Sequence, residues 1–335
     1  MDLTRMAIFA ARPAPIQINF LGSPSTTGAN FIDYFIGDYF STPPHRKDVE
    51  QNTEKLILMP HTYQVCEHKS EYTEFLNMST FGVPSDKFSE DLSEEEREQL
   101  ELLSDPKTFS GIPFQDDSKP FIFCNFNQAS KINREVWEIW MEILERVPNS
   151  VLWMIANPEC TRETFEKTAN KSKMSGRIFL TTSVNKRAHI QRMRICDLLL
   201  DTFYYNAHAS AGDALWAGVP ILTLEGKTIS SRVCGSMCIA NGFPEFVVKD
   251  RKEYLERAVY LGNEKGTVRM WKERLIQVRN SSHLYDVENY VKNLSNALLQ
   301  IWRHYLKSGR EGLPAIVHAD PSRQTSLPKQ EDVIS

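Results

Sequence analysis

The stretch from Pro120 to Ile155, PFIFCNFNQASKINREVWEIWMEILERVPNSVLWMI, decides how the rest of the chain is read. Phe121-Ile122-Phe123-Cys124 is a short, continuous apolar run, the pattern of a strand buried on both faces. Small polar residues follow, and Asn133 stands where a helix needs a cap. Val136, Ile139, Trp140, Ile143, Leu144 and Val147 then recur at helical spacing, which predicts a helix with one apolar stripe. Pro148-Asn149 stops it, and Val151-Leu152-Trp153-Met154-Ile155 reads as the next strand. Strand, crossover helix and strand in that order make the unit of a parallel sheet.

The unit repeats downstream. Arg177 to Leu180 and Leu198-Leu199-Leu200 supply two more strands, with a helix around Arg187 to Arg194 between them. Val219 to Leu224 is another, opened by Gly218 and closed by Glu225-Gly226. Residues 120 to about 280 therefore hold at least five strand candidates with helices between them, a doubly wound lobe. Upstream, Ile16 to Phe20 is a strand leading into the small-residue loop Gly22 to Gly28. Tyr34 to Gly37 and Leu56 to Met59 are further short strands. This part reads as the last portion of a similar lobe.

The remaining segments are polar. From Phe81 to Pro120 the chain turns acidic, and Ser93-Glu94-Glu95-Glu96 is a capping-box pattern for a short charged helix through Leu103. A solvated helix in a linker is the expectation there. After Tyr285 a long helical pattern runs through Leu294, Leu298, Ile301, Trp302 and Tyr305. The end, from Lys307 to Ser335, is rich in Pro, Ser, Gly and charge and is expected to be disordered. The predicted organisation is thus α/β, with 1–80 as the C-terminal part of a first lobe, 81–119 as a linker, 120–306 as a second lobe and 307–335 as a tail. No repeat of about 34 residues marks a helical array.

Composition narrows the function classes. The 335 residues include 41% hydrophobic and 24% charged, an ordinary globular balance. A net charge of -4 argues against a nucleic-acid partner, because phosphate binding calls for a basic surplus. No apolar run reaches the roughly 20 residues that span a bilayer, and no secretory h-region opens the chain. Six cysteines are too sparse for a disulfide framework and are expected to be reduced core thiols in the cytosol. Cys234 and Cys238 lack a second ligand pair for zinc.

Chemistry gathers in Asp201 to Pro220. A buried strand ends at Leu200, and a helix starts near Ser210. In an open α/β sheet ligands lie beyond the carboxyl ends of the strands, and a helix start presents free N–H groups and a positive dipole end. His208, Ser210 and the backbone of Ala211 and Gly212 suit a diphosphate, with Asp213 one turn on for ribose hydroxyls. The same spacing equally suits an ordinary strand-to-helix turn with Ser210 as cap.

The segment NAHASAGDALWAGVP, Asn206 to Pro220, resembles the donor site of the O-GlcNAc transferase family. Phe123 to Ile132 (FCNFNQASKI), Val147 to Trp153 (VPNSVLW), Arg12 to Gln17 (RPAPIQ) and Met59 to Tyr63 (MPHTY) resemble further segments of that family, in the same order. The likeness covers roughly Phe9 to Tyr305, apart from the acidic linker. It implies a GT-B fold with a complete C-terminal Rossmann-like lobe. It also implies inverting transfer of N-acetylglucosamine from UDP-N-acetylglucosamine to Ser or Thr hydroxyls of proteins, without a metal or other cofactor. The absence of an Asp-x-Asp pair agrees. The partners implied are a UDP-sugar and a protein acceptor, with no nucleic acid and no membrane, in the cytosol and also the nucleus.

The resemblance also assigns residues. Lys131 matches the lysine that contacts the diphosphate and carries the catalytic expectation, with Gln128 in the same loop; otherwise Lys131 would read as a surface lysine. Lys186, His189 and Arg192 match the uridine-recognition helix start, where the histidine meets the base. His208, Ala209, Ser210 and Asp213 complete the donor set. His61 matches a histidine of the cleft and is a catalytic candidate, against a strand-end histidine satisfied by backbone. Two departures stand out. The family's His-Thr-Thr is His208-Ala209-Ser210 here, one hydroxyl fewer. Family members also have about half a lobe more before Arg12, with a further cleft histidine, and usually tetratricopeptide repeats. The alternatives are a UDP-sugar-binding module with impaired turnover, and a protein O-fucosyltransferase using GDP-fucose. The second fits less well, since its donor segment lacks the His208 to Asp213 spacing.

Overall fold

The computed structural model describes residues 5–48, 52–73, 112, 119–158, 160–320 and 322. Two parallel sheets organise them. The first joins β1 (Ile18–Asn19), β2 (Tyr34–Asp38), β3 (Lys55–Met59) and, from the far end of the chain, β10 (Ile316–His318), in the order β1-β2-β3-β10. The second has β4 (Phe121–Asn125), β5 (Ser150–Ile155), β6 (Ile178–Thr181), β7 (Leu198–Leu200), β8 (Ile221–Leu224) and β9 (Val247–Val248). Its order is β6-β5-β4-β7-β8-β9. In register β4 pairs with both β5 and β7, and all of these pairings are parallel. The direction of winding reverses between β4 and β7, which is the order of a dinucleotide-binding sheet and creates its crevice at that point.

Helices cover the sheets: α1 (Met6–Ala10), α2 (His68–Glu71), α3 (Arg134–Arg146), α4 (Cys160–Lys171), α5 (Lys186–Met193), α6 (Ala209–Trp216), α7 (Val233–Ala240), α8 (Arg251–Asn263), α9 (Lys265–Val278) and α10 (Val287–Ser308). The caps are those the sequence offers. Asn133 accepts from the Val136 N–H at 3.0 Å to start α3, and Asp250 does the same for α8 through Glu253. Gly218, at φ +80°, turns the chain sharply after α6 into β8.

The central strands are buried along their length, and successive side chains of β4 point to opposite faces, as the two-residue period demands. Phe121 and Phe123 face a core built with α3, α4 and α8 through Val136, Trp140, Phe165 and Tyr254. Ile122 and Cys124 face the other side, in a core that runs on through α5, α6 and α7 to Tyr34, Ile36, Ile57 and Met59 of the first sheet. The two sheets therefore share one apolar core. At about 25 cal/mol per Å² of apolar surface, such sharing stabilises their packing as one body.

The structure departs from the sequence reading at the end of the chain and at one cysteine. The tail is ordered where it begins: α10 extends to Ser308, and Ile316–His318 pairs with Leu56–Leu58 of β3. Buried Val317, together with the Lys55 ammonium donating to the Leu313 carbonyl at 2.8 Å, outweighs the polar surroundings. Five of the six cysteines are buried, but Cys160 is exposed at the start of α4. β9 is a sixth strand of the second lobe, only two residues long. The linker at 81–119, with its charged helix from Ser93, lies outside the described residues except for Ile112 and Lys119. No helix among the described residues is long and apolar enough to cross a membrane.

Candidate nucleotide-sugar site

The crevice between β4 and β7 is lined by the loops that leave them. After β4, Asn127, Gln128 and a 3-10 turn (Ala129–Lys131) lead to α3. After β7, Asp201 to His208 lead to α6. A buried polar lattice fixes these loops against each other. Asp201, fully buried, accepts from the Ala207 N–H at 2.7 Å, the Thr202 N–H at 2.8 Å and the Thr223 hydroxyl at 2.7 Å. Burial pushes its carboxyl above the usual range even though these donors pull the other way. Asn127 joins the lattice, since Ser210 Oγ donates to Asn127 Oδ1 at 2.7 Å. Asn125 donates to the Leu200 carbonyl at 2.7 Å. These bonds tie the two loops together where they meet, although Asn206 Oδ1 is buried in the same loop without a partner.

Above this lattice stand the groups that can meet an anion. Lys131 Nζ donates to the Asn206 carbonyl at 2.7 Å and lies 4.3 Å from the ring centre of Tyr205. Burial lowers its pKa, with Asp201 opposing. His208 occupies the cap position of α6, stacks on Tyr205 at 4.7 Å and bonds the Ser230 carbonyl at 3.2 Å. Burial, with Lys131 nearby, pulls its imidazole down to about 4. Ala209 is exposed at the first turn of α6, and Gln128 is exposed beside Lys131. The helix thus begins at Ala209 with His208, rather than Ser210, as its cap.

A second group sits at the side of α6. Asp213 is 2% exposed, so its carboxylate is not open to solvent. Its Oδ1 meets His68 Nε2 at 2.7 Å and its Oδ2 meets Lys186 Nζ at 2.6 Å. Burial would raise this carboxyl, but His68 and Lys186 hold it below the usual range. The Lys186 side chain is 42% exposed and carries the charge outward. His189 stands edge-on to Phe126 at 5.3 Å, with Nε2 3.8 Å from Asp213. Its Nδ1 receives the buried Arg192 guanidinium at 3.1 and 2.9 Å, so Nε2 carries the proton of the neutral ring. Burial, helped by Arg192, draws its pKa down to about 3. Arg192 itself is 2% exposed and stacks on Phe126; it holds His189 rather than facing a ligand.

The sequence-assigned donor residues therefore fall into two neighbouring sets. Lys131, Gln128, His208, Ala209 and Ser210 frame the crevice, while Lys186, His189, Arg192 and Asp213 form the flank. His61 follows β3 and stacks on His283, ring centres 3.7 Å apart. Sequence reading missed Asp201, Asn127, Tyr205 and His68. An acidic residue directly after a buried strand was the available signal for Asp201. Tyr204 and Tyr205 were signalled only as exposed aromatics of 54% and 39%, visible once the loop is folded. Among the described residues, no three His, Cys, Asp or Glu side chains gather as a metal-ligand set.

A sheet wound in this order, with a second parallel sheet sharing its core, has the GT-B architecture of nucleotide-sugar-dependent glycosyltransferases. Within that class, the chain belongs to glycosyl transferase family 41, whose family model matches residues 3–108 and 95–294. It is 33% identical over 306 residues to the probable UDP-N-acetylglucosamine–peptide N-acetylglucosaminyltransferase SEC of Arabidopsis thaliana, covering 89% of this chain and 28% of that protein. It is 29% identical over 381 residues to the UDP-N-acetylglucosamine–peptide N-acetylglucosaminyltransferase of Caenorhabditis elegans, covering 90% of this chain and 33% of that one. Its structure is similar to an O-GlcNAc transferase of Thermobaculum terrenum, with a TM-score of 0.70 and 26% identity over 91% of this chain and 51% of that one. The chain thus spans a third or less of the length of these curated relatives.

Proposed function

We propose that this chain supplies the donor half of a protein O-GlcNAc transferase, binding UDP-N-acetylglucosamine for inverting transfer to Ser or Thr hydroxyls. The observation that carries this reading is the meeting of Lys131 with His208 and the start of α6 at the switch point between β4 and β7. In such a reaction the acceptor oxygen bonds to the anomeric carbon while the bond to UDP breaks, and negative charge grows on the departing diphosphate. The Lys131 ammonium and the first N–H groups of α6 answer that charge directly, while the Ser210 hydroxyl is engaged with Asn127. Gln128 lies at the exposed edge of the same loop, and Ala209 offers its backbone only. The neutral His189 ring offers a flat face to uracil, with Arg192 fixing its tilt. Lys186 presents an ammonium toward ribose hydroxyls. Asp213 serves by holding that ammonium, since both its oxygens are engaged. His61 is the acceptor-side candidate from the first sheet.

This set is an ammonium, imidazoles and hydroxyls, suited to hold a diphosphate without a bridging cation, so metal independence is part of the proposal. The cytosolic and nuclear setting expected from the cysteine usage and the family is part of it too. Calorimetry with UDP, with GDP as comparator and with EDTA present, tests the reading. UDP should bind in EDTA, bind more tightly than GDP, and lose affinity in Lys131→Ala. Equal affinity in Lys131→Ala would contradict the assignment, and a preference for GDP would favour a fucosyl donor.

A second reading keeps donor binding and drops turnover. Two observations favour it: Ala209 lacks the hydroxyl of the family pattern, and His61 is stacked on His283. Transfer of labelled N-acetylglucosamine to a Ser/Thr peptide separates the two, since UDP binding without transfer supports the second.

A further inference from the structure

The flank of the site depends on a residue from the other sheet. After β3 the chain runs through Cys66 and α2 and lies against α6. Gly212 permits this approach, because a Cβ there would come within 2.9 Å of Cys66 Sγ and 3.2 Å of His68 Cε1. Tyr285 donates to the Gly212 carbonyl at 2.9 Å from the opposite side. Arg187, next to Lys186 in α5, donates to the Glu71 carbonyl at 3.2 Å and covers Tyr72. His68 is thereby buried among Tyr72, Trp216 and Tyr285, with Nε2 aimed at Asp213.

The hydrogen bonding of its ring is one-sided. Nε2 has Asp213, whereas the buried Nδ1 has no hydrogen-bond partner. A carboxylate oxygen only accepts, so the Nε2 that faces it is the donor. His68 then donates to Oδ1, Lys186 donates to Oδ2, and the carboxylate is fixed in one orientation between them. Fixing the carboxylate fixes the lysine, whose long side chain is 42% exposed and would otherwise sample several rotamers.

We propose that His68 is a positioning residue of the donor site: it acts through Asp213 to pre-set the Lys186 ammonium for the nucleotide. This rests on the donor-site reading above and adds to it a link from the β3 side of the molecule. The chain of contacts, His68 to Asp213 to Lys186, makes a prediction that a merely structural histidine does not share. The effect of changing His68 must vanish when Lys186 can no longer respond.

The test is UDP calorimetry on a double-mutant cycle. In His68→Gln the side-chain amide nitrogen takes the place of Nε2 and can still donate to Asp213. In His68→Asn the amide stops at the level of Nδ1 and cannot reach. We expect His68→Asn to weaken UDP binding by about five- to tenfold, as for one lost hydrogen bond, and His68→Gln to stay within about twofold. In a Lys186→Met background the two should bind UDP equally. The inference is overturned if His68→Asn binds UDP like the wild type, if Gln loses as much as Asn, or if the Asn loss persists undiminished with Lys186→Met. Should His68→Asn not fold, the cycle is run with His68→Gln and Asp213→Asn: retained affinity in the first and loss in the second, abolished by Lys186→Met, supports the link, and any other pattern overturns it. Lys131-dependent UDP binding that ignores His68 would defeat this inference alone. A folded wild-type chain that binds no UDP would defeat the donor-site reading and this with it.

Discussion

The two sheets bury carboxylates to different ends. In the four-stranded sheet they tie segments of the chain together. Asp33 holds Arg12 at 2.9 Å, Arg310 at 2.5 Å and the Gln17 N–H at 2.9 Å. Glu54 ties down Thr26 and the Thr27 N–H, and Asp38 gathers the Ser41 and Tyr63 N–H groups with the Ser236 hydroxyl of α7. In the six-stranded sheet Asp201 and Asp213 are just as buried, yet each supports a cation or helix start that faces outward: Lys131 and His208 in one case, Lys186 in the other. The first sheet spends its charge on shape, and the second uses it to aim donors at a crevice. A buried acid by itself therefore says little about function; what its partners face says more.

That contrast can be broken by mutation. The largest effect should come from Asp201→Ala, which strands the Thr223 hydroxyl and two backbone N–H groups in the core. Each costs about 1–3 kcal/mol when orphaned, so chemical denaturation should show a loss of about 3 kcal/mol or more. A loss under about 1 kcal/mol would mean that the lattice is not holding the loops. Next is Lys131→Ala, where the charged contact to diphosphate is worth about 1.5–3 kcal/mol, a fall in UDP affinity of about tenfold or more. Glu54→Gln, in the other sheet, should leave that affinity unchanged in the same titration. If both variants weaken UDP equally, the division between the sheets fails.

A smaller effect concerns pH. His189 and His208 have folded values of about 3 and 4, below the ordinary 6.5. The unfolded chain then binds more protons than the folded one between these values and 6.5, so stability is full above about pH 6.5 and falls as the pH drops toward 4. Thermal melts should show Tm decreasing from pH 7 to pH 5, with a shallower decrease in His189→Phe. An unchanged slope would remove His189 from the account. The smallest effect is Ala209→Thr. A restored hydroxyl at the first turn of α6 should tighten UDP binding by about 0.5–1.5 kcal/mol, and weaker binding would mean that the turn is shaped differently.

Much of this was legible in the chain itself. The buried runs at Phe121 and Val151, the Asn133 cap and the crossover helices specify the parallel sheet, because each depends on local pattern. His208 and Ser210 were brought forward by lying just beyond a strand end, where the spacing suited an ordinary turn equally, and Lys131 was singled out only by the family resemblance. What stayed hidden depends on distance. His68 meets Asp213 across 145 positions of sequence, which no periodicity records. Arg192 lies three positions after His189 on α5, but its burial behind that ring is decided by Phe126 and Thr182. β9 and β10 are two and three residues long; strands so short are specified by the edge they join, not by their own composition.

A uridine nucleotide held at the switch point between β4 and β7 is what ties these residues to one function. A crystal structure of the chain with UDP tests it most directly. The diphosphate should lie at the start of α6, between Lys131 and His208 and within hydrogen-bonding distance of Ser210, with uracil against the His189 ring and ribose toward Lys186. A nucleotide bound elsewhere on the molecule, or an empty crevice at saturating UDP, would contradict it.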